Sequence, residues 1–150
     1  MKTLLIYVSV HHGNTEKVVK AMTNVLGAKL AKPQELDINI VAEYDLIGFG
    51  SGIYHRKHHE SLFKLLDKLP KQKTKKAFIF TTSGTNKDYN KPLREKLLGK
   101  GFNIVGEFSC KGFDTWGPFK IVGGINRGRP NEEDLKEARK FAEDLKNKEE

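Results

Sequence analysis

One cysteine in 150 residues, Cys110, excludes an internal disulfide and with it the stapled scaffolds of oxidising compartments. A buried-type strand ends at this residue, so its expected role is that of a small core side chain. No run reaches the roughly 18–20 apolar residues of a membrane span. The N-terminus enters a strand-like run at once, which argues against a cleaved secretory signal. These absences point to the reducing cytoplasm. No repeat or linker divides the chain, so residues 1–150 read as a single domain. Acidic residues are also in short supply, and the net charge is +8. Lys68, Lys71, Lys73, Lys75 and Lys76 cluster around one loop, with Arg127 and Arg129 forming a smaller basic group. Such a field steers acidic partners, although solvated lysines at helix ends give the same composition. The basic runs lack the interleaved aromatics and motifs of nucleic-acid readers.

What is present is an alternation of apolar runs with helical patterns, the signature of a parallel sheet wound on both faces. The first strand is Lys2 to Val8. Val18, Ala21, Met22, Val25 and Leu26 then recur at helical spacing up to Gly27. A short second strand is expected around Lys29-Leu30, and a third from Asp45 to Phe49. The next helix is expected from about His58 to Leu69, stopped by Pro70. A fourth strand over Lys76–Thr81 precedes a helix from Asn90 to Leu98, and a fifth covers Asn103–Cys110. After Pro130, Asn131 is the expected N-cap of the last helix, with Asp134 three residues on and a buried stripe through Leu135, Ala138, Phe141, Ala142 and Leu145. Right-handed crossovers turn this into a three-layer α/β/α sandwich whose ligand lies at the carboxyl ends of the strands.

The loops at that edge are the ones after Val8, Phe49 and Thr81, and they are the richest in Gly, Ser, Thr and His. All five histidines fall in the first two, as His11-His12 and as His55 with His58-His59. The first loop has no Gly-Lys-Ser/Thr of a phosphate-binding NTPase. It offers backbone N–H groups at a helix N-terminus, the Asn14 amide and the Thr15 hydroxyl, a donor set suited to a terminal phosphate. Imidazoles also suit zinc, copper or nickel, but here no Cys, Asp or Glu is interleaved with them at ligand spacing. No metal is expected.

His12-Gly13-Asn14-Thr15-Glu16 resembles the FMN-phosphate loop of the flavodoxin superfamily, Thr-Gly-Asn-Thr-Glu. Gly50-Ser51-Gly52-Ile53-Tyr54 is similar to the second FMN loop of that superfamily, and Thr82-Ser83-Gly84-Thr85 to the third. The resemblance runs through nearly the whole chain and implies a flavodoxin-like five-stranded parallel sheet in the order 2-1-3-4-5. It implies that His11, His12, Gly13, Asn14 and Thr15 hold the phosphate of FMN. Ser51, Gly52, Ile53, Tyr54 and His55 then lie beside the flavin rings, with Tyr54 stacking, and Thr82, Ser83, Gly84 and Thr85 bond the pyrimidine edge.

The implied function is electron transfer by an FMN-binding carrier that shuttles between redox partners. The alternative is an FMN-dependent oxidoreductase of the quinone-reductase or protoporphyrinogen-oxidase type, to which the second loop with its trailing His58-His59 is similar. Flavodoxins are usually acidic, whereas this chain is basic, so an acidic partner is expected: a ferredoxin-like protein or an oxidoreductase. In many flavodoxins a glycine follows the second-loop aromatic, and a peptide flip there presents a carbonyl to the flavin N5–H. Here His55 follows Tyr54 and Gly52 precedes it, and a non-glycine residue meets a steric cost at positive φ. The long connection from Lys111 to Gly128, with Trp116, is expected to cap the flavin, to make a homodimer contact or to anchor a satellite core. Monomer and homodimer both remain open.

Overall fold

A computed structural model describes residues 1–10, 13–85, 87–112 and 128–149. The elements in chain order are β1 (Thr3–Val8), α1 (Asn14–Leu26), β2 (Lys29–Ala31), a 3-10 helix (Ile38–Glu43), β3 (Leu46–Tyr54), β4 (Lys57–His58), α2 (Glu60–Lys68), β5 (Lys76–Ser83), α3 (Lys91–Gly99), β6 (Asn103–Lys111) and α4 (Glu132–Glu149). Parallel pairing gives the sheet order β2-β1-β3-β5-β6, with β4 turned back antiparallel onto the end of β3. With that hairpin strand set aside, the order is the expected 2-1-3-4-5.

Alternation along each strand feeds two cores. Leu4, Ile6, Ile47, Phe49 and Ile79 face α2 and α3 through Leu62, Leu66, Leu93 and Leu97. Leu5, Tyr7, Phe78 and Phe80 face α1 and α4 through Val18, Met22, Ala138 and Ala142. Strand β3 is glycine-rich for a packing reason. A Cβ on Gly50 would sit 2.2 Å from the Phe80 ring, and one on Gly48 2.5 Å from that of Phe78. The strand therefore lies flat against two aromatic side chains.

At the start of α4, Asn131 Oδ1 accepts from the Asp134 N–H (3.0 Å) while Asp134 Oδ2 accepts from the Asn131 N–H (2.8 Å). This reciprocal pair is the capping box that the sequence predicts. Asp134 is also held well below the usual carboxylate range, chiefly by its hydrogen bonds with Arg129.

Two elements outrun their expected bounds. Strand β3 continues to Tyr54 and β5 to Ser83, so part of each glycine- and hydroxyl-rich loop is strand. Helix α2 starts at Glu60 rather than at His58, because His58 is drawn into β4 and His59 becomes the cap.

Candidate functional site

Strand register sets the site. Val8 pairs with Ser51, Ser51 with Thr81, and Gly52 with Thr82, so β1, β3 and β5 deliver their loops side by side at one sheet edge. Buried hydrogen bonds then join the loops. The Thr15 and Thr82 hydroxyls, 2.9 Å apart, tie the first turn of α1 to the end of β5. Ser51 Oγ accepts from the His59 N–H at 2.9 Å and donates to the Gly52 carbonyl at 2.6 Å, so it works inside the second loop. Gly112 N–H donates to the Ser83 carbonyl at 3.0 Å, which brings the end of β6 to the third loop.

The first loop ends at Gly13 in the left-handed region (φ 65°), and α1 starts there with no side-chain cap. The N–H of Glu16 instead reaches back to Ser9 Oγ (3.1 Å). An N-terminus whose N-cap glycine brings no side chain, with Ser9 taking the Glu16 N–H, leaves backbone donors beside two loops of hydroxyls and glycine for an anion to complete. Asn14 leans towards β6, where its Nδ2 would lie 2.5 Å from a Cβ on Gly112. His11 and His12 lie outside the described residues, as does the Trp116 connection.

The second loop is a two-residue hairpin. Ile53 pairs with His58 and Tyr54 with Lys57, leaving His55 (φ 52°) and Arg56 (φ 67°) as the turn. Positive φ at both central residues is the signature of a type I′ turn, here built without glycine. The Tyr54 ring folds back over Gly52, whose built Cβ would lie 3.5 Å from the phenol oxygen, and meets the His59 ring edge-on at 5.1 Å. Burial pushes the Tyr54 phenol up, and its hydrogen bond with the Val10 backbone works the other way. Tyr54 thus spans the gap between first and second loops, half-buried, at the place where an aromatic can cover a planar ligand. His59 caps α2, its Nδ1 accepting from the Ser61 N–H at 3.1 Å.

In the third loop Thr82 is buried, while Ser83, Gly84 and Thr85 are partly exposed. Ser83 and Thr85 line a polar cavity of about 280 Å³ whose wall includes Lys87. Cys110 borders the same cavity, and burial pushes its thiol up to about 12, as suits a packing residue.

Sequence reasoning missed a set of groups beneath the loops. His58 is fully buried, and its Nε2 lies 2.8 Å from Thr81 Oγ1. Thr81 donates to Asn90 Oδ1 (2.6 Å), and Asn90 Nδ2 donates to Glu107 Oε1 (2.9 Å). Glu107 accepts two hydrogen bonds from Arg94, each 2.7 Å, and its carboxyl is held low by them. Only the clustering of the histidines hinted at this network; the pairing of residues so far apart in sequence was not visible.

A flavodoxin-domain family model matches residues 4–112. The chain belongs to the flavodoxin family. FMN is accordingly its cofactor, and the backbone N–H groups at the α1 N-terminus, with the half-buried Tyr54 ring beside them, suit its phosphate and its flavin rings. An uncharacterised protein of Methanocaldococcus jannaschii is 51% identical over 148 residues, covering 97% of this chain and 98% of that protein. Among solved structures, a flavodoxin from the domain Archaea aligns with a TM-score of 0.74 at 19% identity, covering 99% of this chain and 98% of that one. Oxidised flavodoxin 2 of Bacillus cereus aligns with a TM-score of 0.74 at 20% identity, covering 99% of both chains. A flavoprotein of Lactobacillus acidophilus in complex with FMN covers 72% of this chain and 92% of its own, with a TM-score of 0.57 at 20% identity. At these identities the structural likeness is one of fold.

Proposed function

We propose that this flavodoxin holds FMN between the three interlocked loops and carries electrons between redox proteins in the cytoplasm. The observation that carries the reading is the convergence of an α1 N-terminus opened by a glycine N-cap with two loops joined to it, directly or in sequence, by buried hydrogen bonds. Gly13, Asn14 and Thr15, with His11 and His12, receive the phosphate, Thr15 through its backbone because its hydroxyl is buried against Thr82. The Ser51–His55 segment flanks the rings, Tyr54 covers one face, and Thr82, Ser83, Gly84 and Thr85 meet the pyrimidine edge. FMN supplies the redox chemistry when bound; the chain binds it, orients it and keeps water from it.

The partner we infer is acidic. Around the site Arg56, Lys87 and Lys91 are exposed, on a chain of net charge +8. Such a rim raises association rates with an acidic protein and loses that advantage in salt.

An anaerobic reductive titration of the FMN-loaded protein, paired with an assay for unaided oxidation of NAD(P)H, tests the reading. Uptake of electrons in two resolved one-electron steps, without NAD(P)H turnover, is the expected result. Direct two-electron reduction with turnover of a small acceptor would instead make the protein an FMN-dependent oxidoreductase. Failure to retain FMN would end both readings.

A further inference from the structure

The tip of the second loop is held in a costly conformation by very little pairing of its own. His55 and Arg56 are successive non-glycine residues with φ of 52° and 67°. Such residues persist in the left-handed region only where their surroundings over-determine them. Two cross-strand pairs, Ile53 with His58 and Tyr54 with Lys57, close the hairpin. A two-stranded ribbon this short does not hold itself together in water.

What fixes it is the far end of the turn. His58 is 0% exposed, and its Nε2 faces two oxygens, Thr81 Oγ1 at 2.8 Å and the Phe80 carbonyl at 3.4 Å. The Thr81 proton is committed to Asn90 Oδ1, so Thr81 accepts and His58 Nε2 donates. Asn90 in turn donates to Glu107, which the Arg94 guanidinium grips with two hydrogen bonds. Every donor and acceptor along this line has one assignment, and the line ends in an ion pair between α3 and β6.

We propose that His58 is a positioning residue of the flavin site, clamping the Tyr54–Lys57 turn to β5 through Thr81 so that the second loop is preorganised for the cofactor. The proposal rests on the FMN reading for its function, and on the hydrogen-bond line alone for its structure. A preorganised loop spends less binding energy on ordering itself.

Two variants break the clamp from opposite sides. His58→Leu removes the donor, Thr81→Val removes the acceptor, and His58→Gln places an amide N–H where Nε2–H lies. FMN affinity of each is read by flavin fluorescence, and amide exchange at residues 53–58 is read in the FMN-free protein. We expect His58→Leu and Thr81→Val each to weaken FMN binding about tenfold, the factor equivalent to one buried hydrogen bond. The double variant should be no worse than Thr81→Val alone, because that substitution already removes the His58 contact together with the Thr81–Asn90 bond. Exchange at residues 53–58 should quicken in both, with β1 unchanged, and His58→Gln should restore both readouts. Unchanged affinity in either single variant, or additive losses in the double, would overturn the proposal. If His58→Leu does not fold, Thr81→Val and His58→Gln decide the matter. If the parent does not bind FMN, the functional reading fails, and the exchange data still decide whether the clamp exists.

Discussion

Thr15 on α1 and Thr82 on β5 are 67 residues apart in sequence, yet their hydroxyls lie 2.9 Å from each other with almost no exposure. One hydrogen bond in the interior therefore joins the loop that opens α1 to the loop that follows β5. Thr82→Val keeps the shape and leaves the Thr15 hydroxyl buried without this partner. The expected cost is about 1–3 kcal/mol, read by urea unfolding of the FMN-free protein. Adding Thr15→Val should cost less than a second penalty of that size, since no buried hydroxyl is then stranded.

His58 makes stability depend on pH on the mildly acidic side. Burial pushes its imidazole down from 6.5 to about 4, although the Phe80 carbonyl and Glu107 favour the charged ring. Its Nδ1 is buried with no hydrogen-bond partner among the described residues, so a proton added there finds no acceptor. Between about pH 6.5 and pH 4 the unfolded chain binds a proton that the folded one refuses. Stability is thus complete above this window and falls through it on acidification, by on the order of 3 kcal/mol. His59, also lowered mainly by burial, adds to the loss in the same direction. Glu107 and Asp134, held low by Arg94 and Arg129, give up their contributions only at more acid pH. Urea midpoints at about pH 7 and about pH 4.5 should differ strongly in the parent and much less in His58→Gln. Equal dependence in the two would show that His58 does not cause it.

The turn itself should be improvable. Asn-Gly is the favoured pair for a type I′ turn, and His55-Arg56 occupies those positions. The double substitution His55→Asn with Arg56→Gly should raise stability by about 1 kcal/mol and the melting temperature by roughly 2–4 °C. A fall in melting temperature would mean that the two side chains make contacts outweighing the backbone relief. Loss of the Arg56 charge should also slow association with an acidic partner at low salt and leave it unchanged at high salt.

Strongly periodic segments were legible from sequence. β1, α1, β3, α2, β5, α3, β6 and α4 appear where apolar spacing put them, because each buries a stripe that its own residues define. The Asn131–Asp134 box was legible for the same local reason. Between Ala28 and Ile40 the short β2 appears at the expected Lys29-Leu30, although none of its three residues is buried, whereas the 3-10 helix from Ile38, which has no strong apolar period, was not legible. His58 misled: beside Leu62, Leu65 and Leu66 it reads as the start of a helix. Its actual place in β4 is decided by Thr81, 23 residues away. A long-range hydrogen bond leaves no periodic trace. The convergence of three loops at one edge was legible from strand order, and the side-chain bonds that lock them together were not.

The glycines of β3 separate packing from binding. Gly50 lies against Phe80, where a Cβ would come within 2.2 Å of the ring, and Phe80 is fully buried with no room to retreat. Gly50→Ala should therefore destabilise the protein by about 3 kcal/mol, at the upper end of the usual overpacking cost. Gly52 is two residues on, beyond the aromatic pair, and a Cβ there meets nothing closer than the Tyr54 hydroxyl at 3.5 Å. Gly52→Ala should leave unfolding within about 0.5 kcal/mol of the parent. It lies under Tyr54, however, on the surface assigned to the flavin rings, so the added methyl should weaken FMN binding while the fold holds. Thermal melts and FMN titrations of the two variants then give opposite patterns. If Gly52→Ala binds FMN as tightly as the parent, the rings do not lie against this stretch of β3, and the second loop contributes through Tyr54 alone.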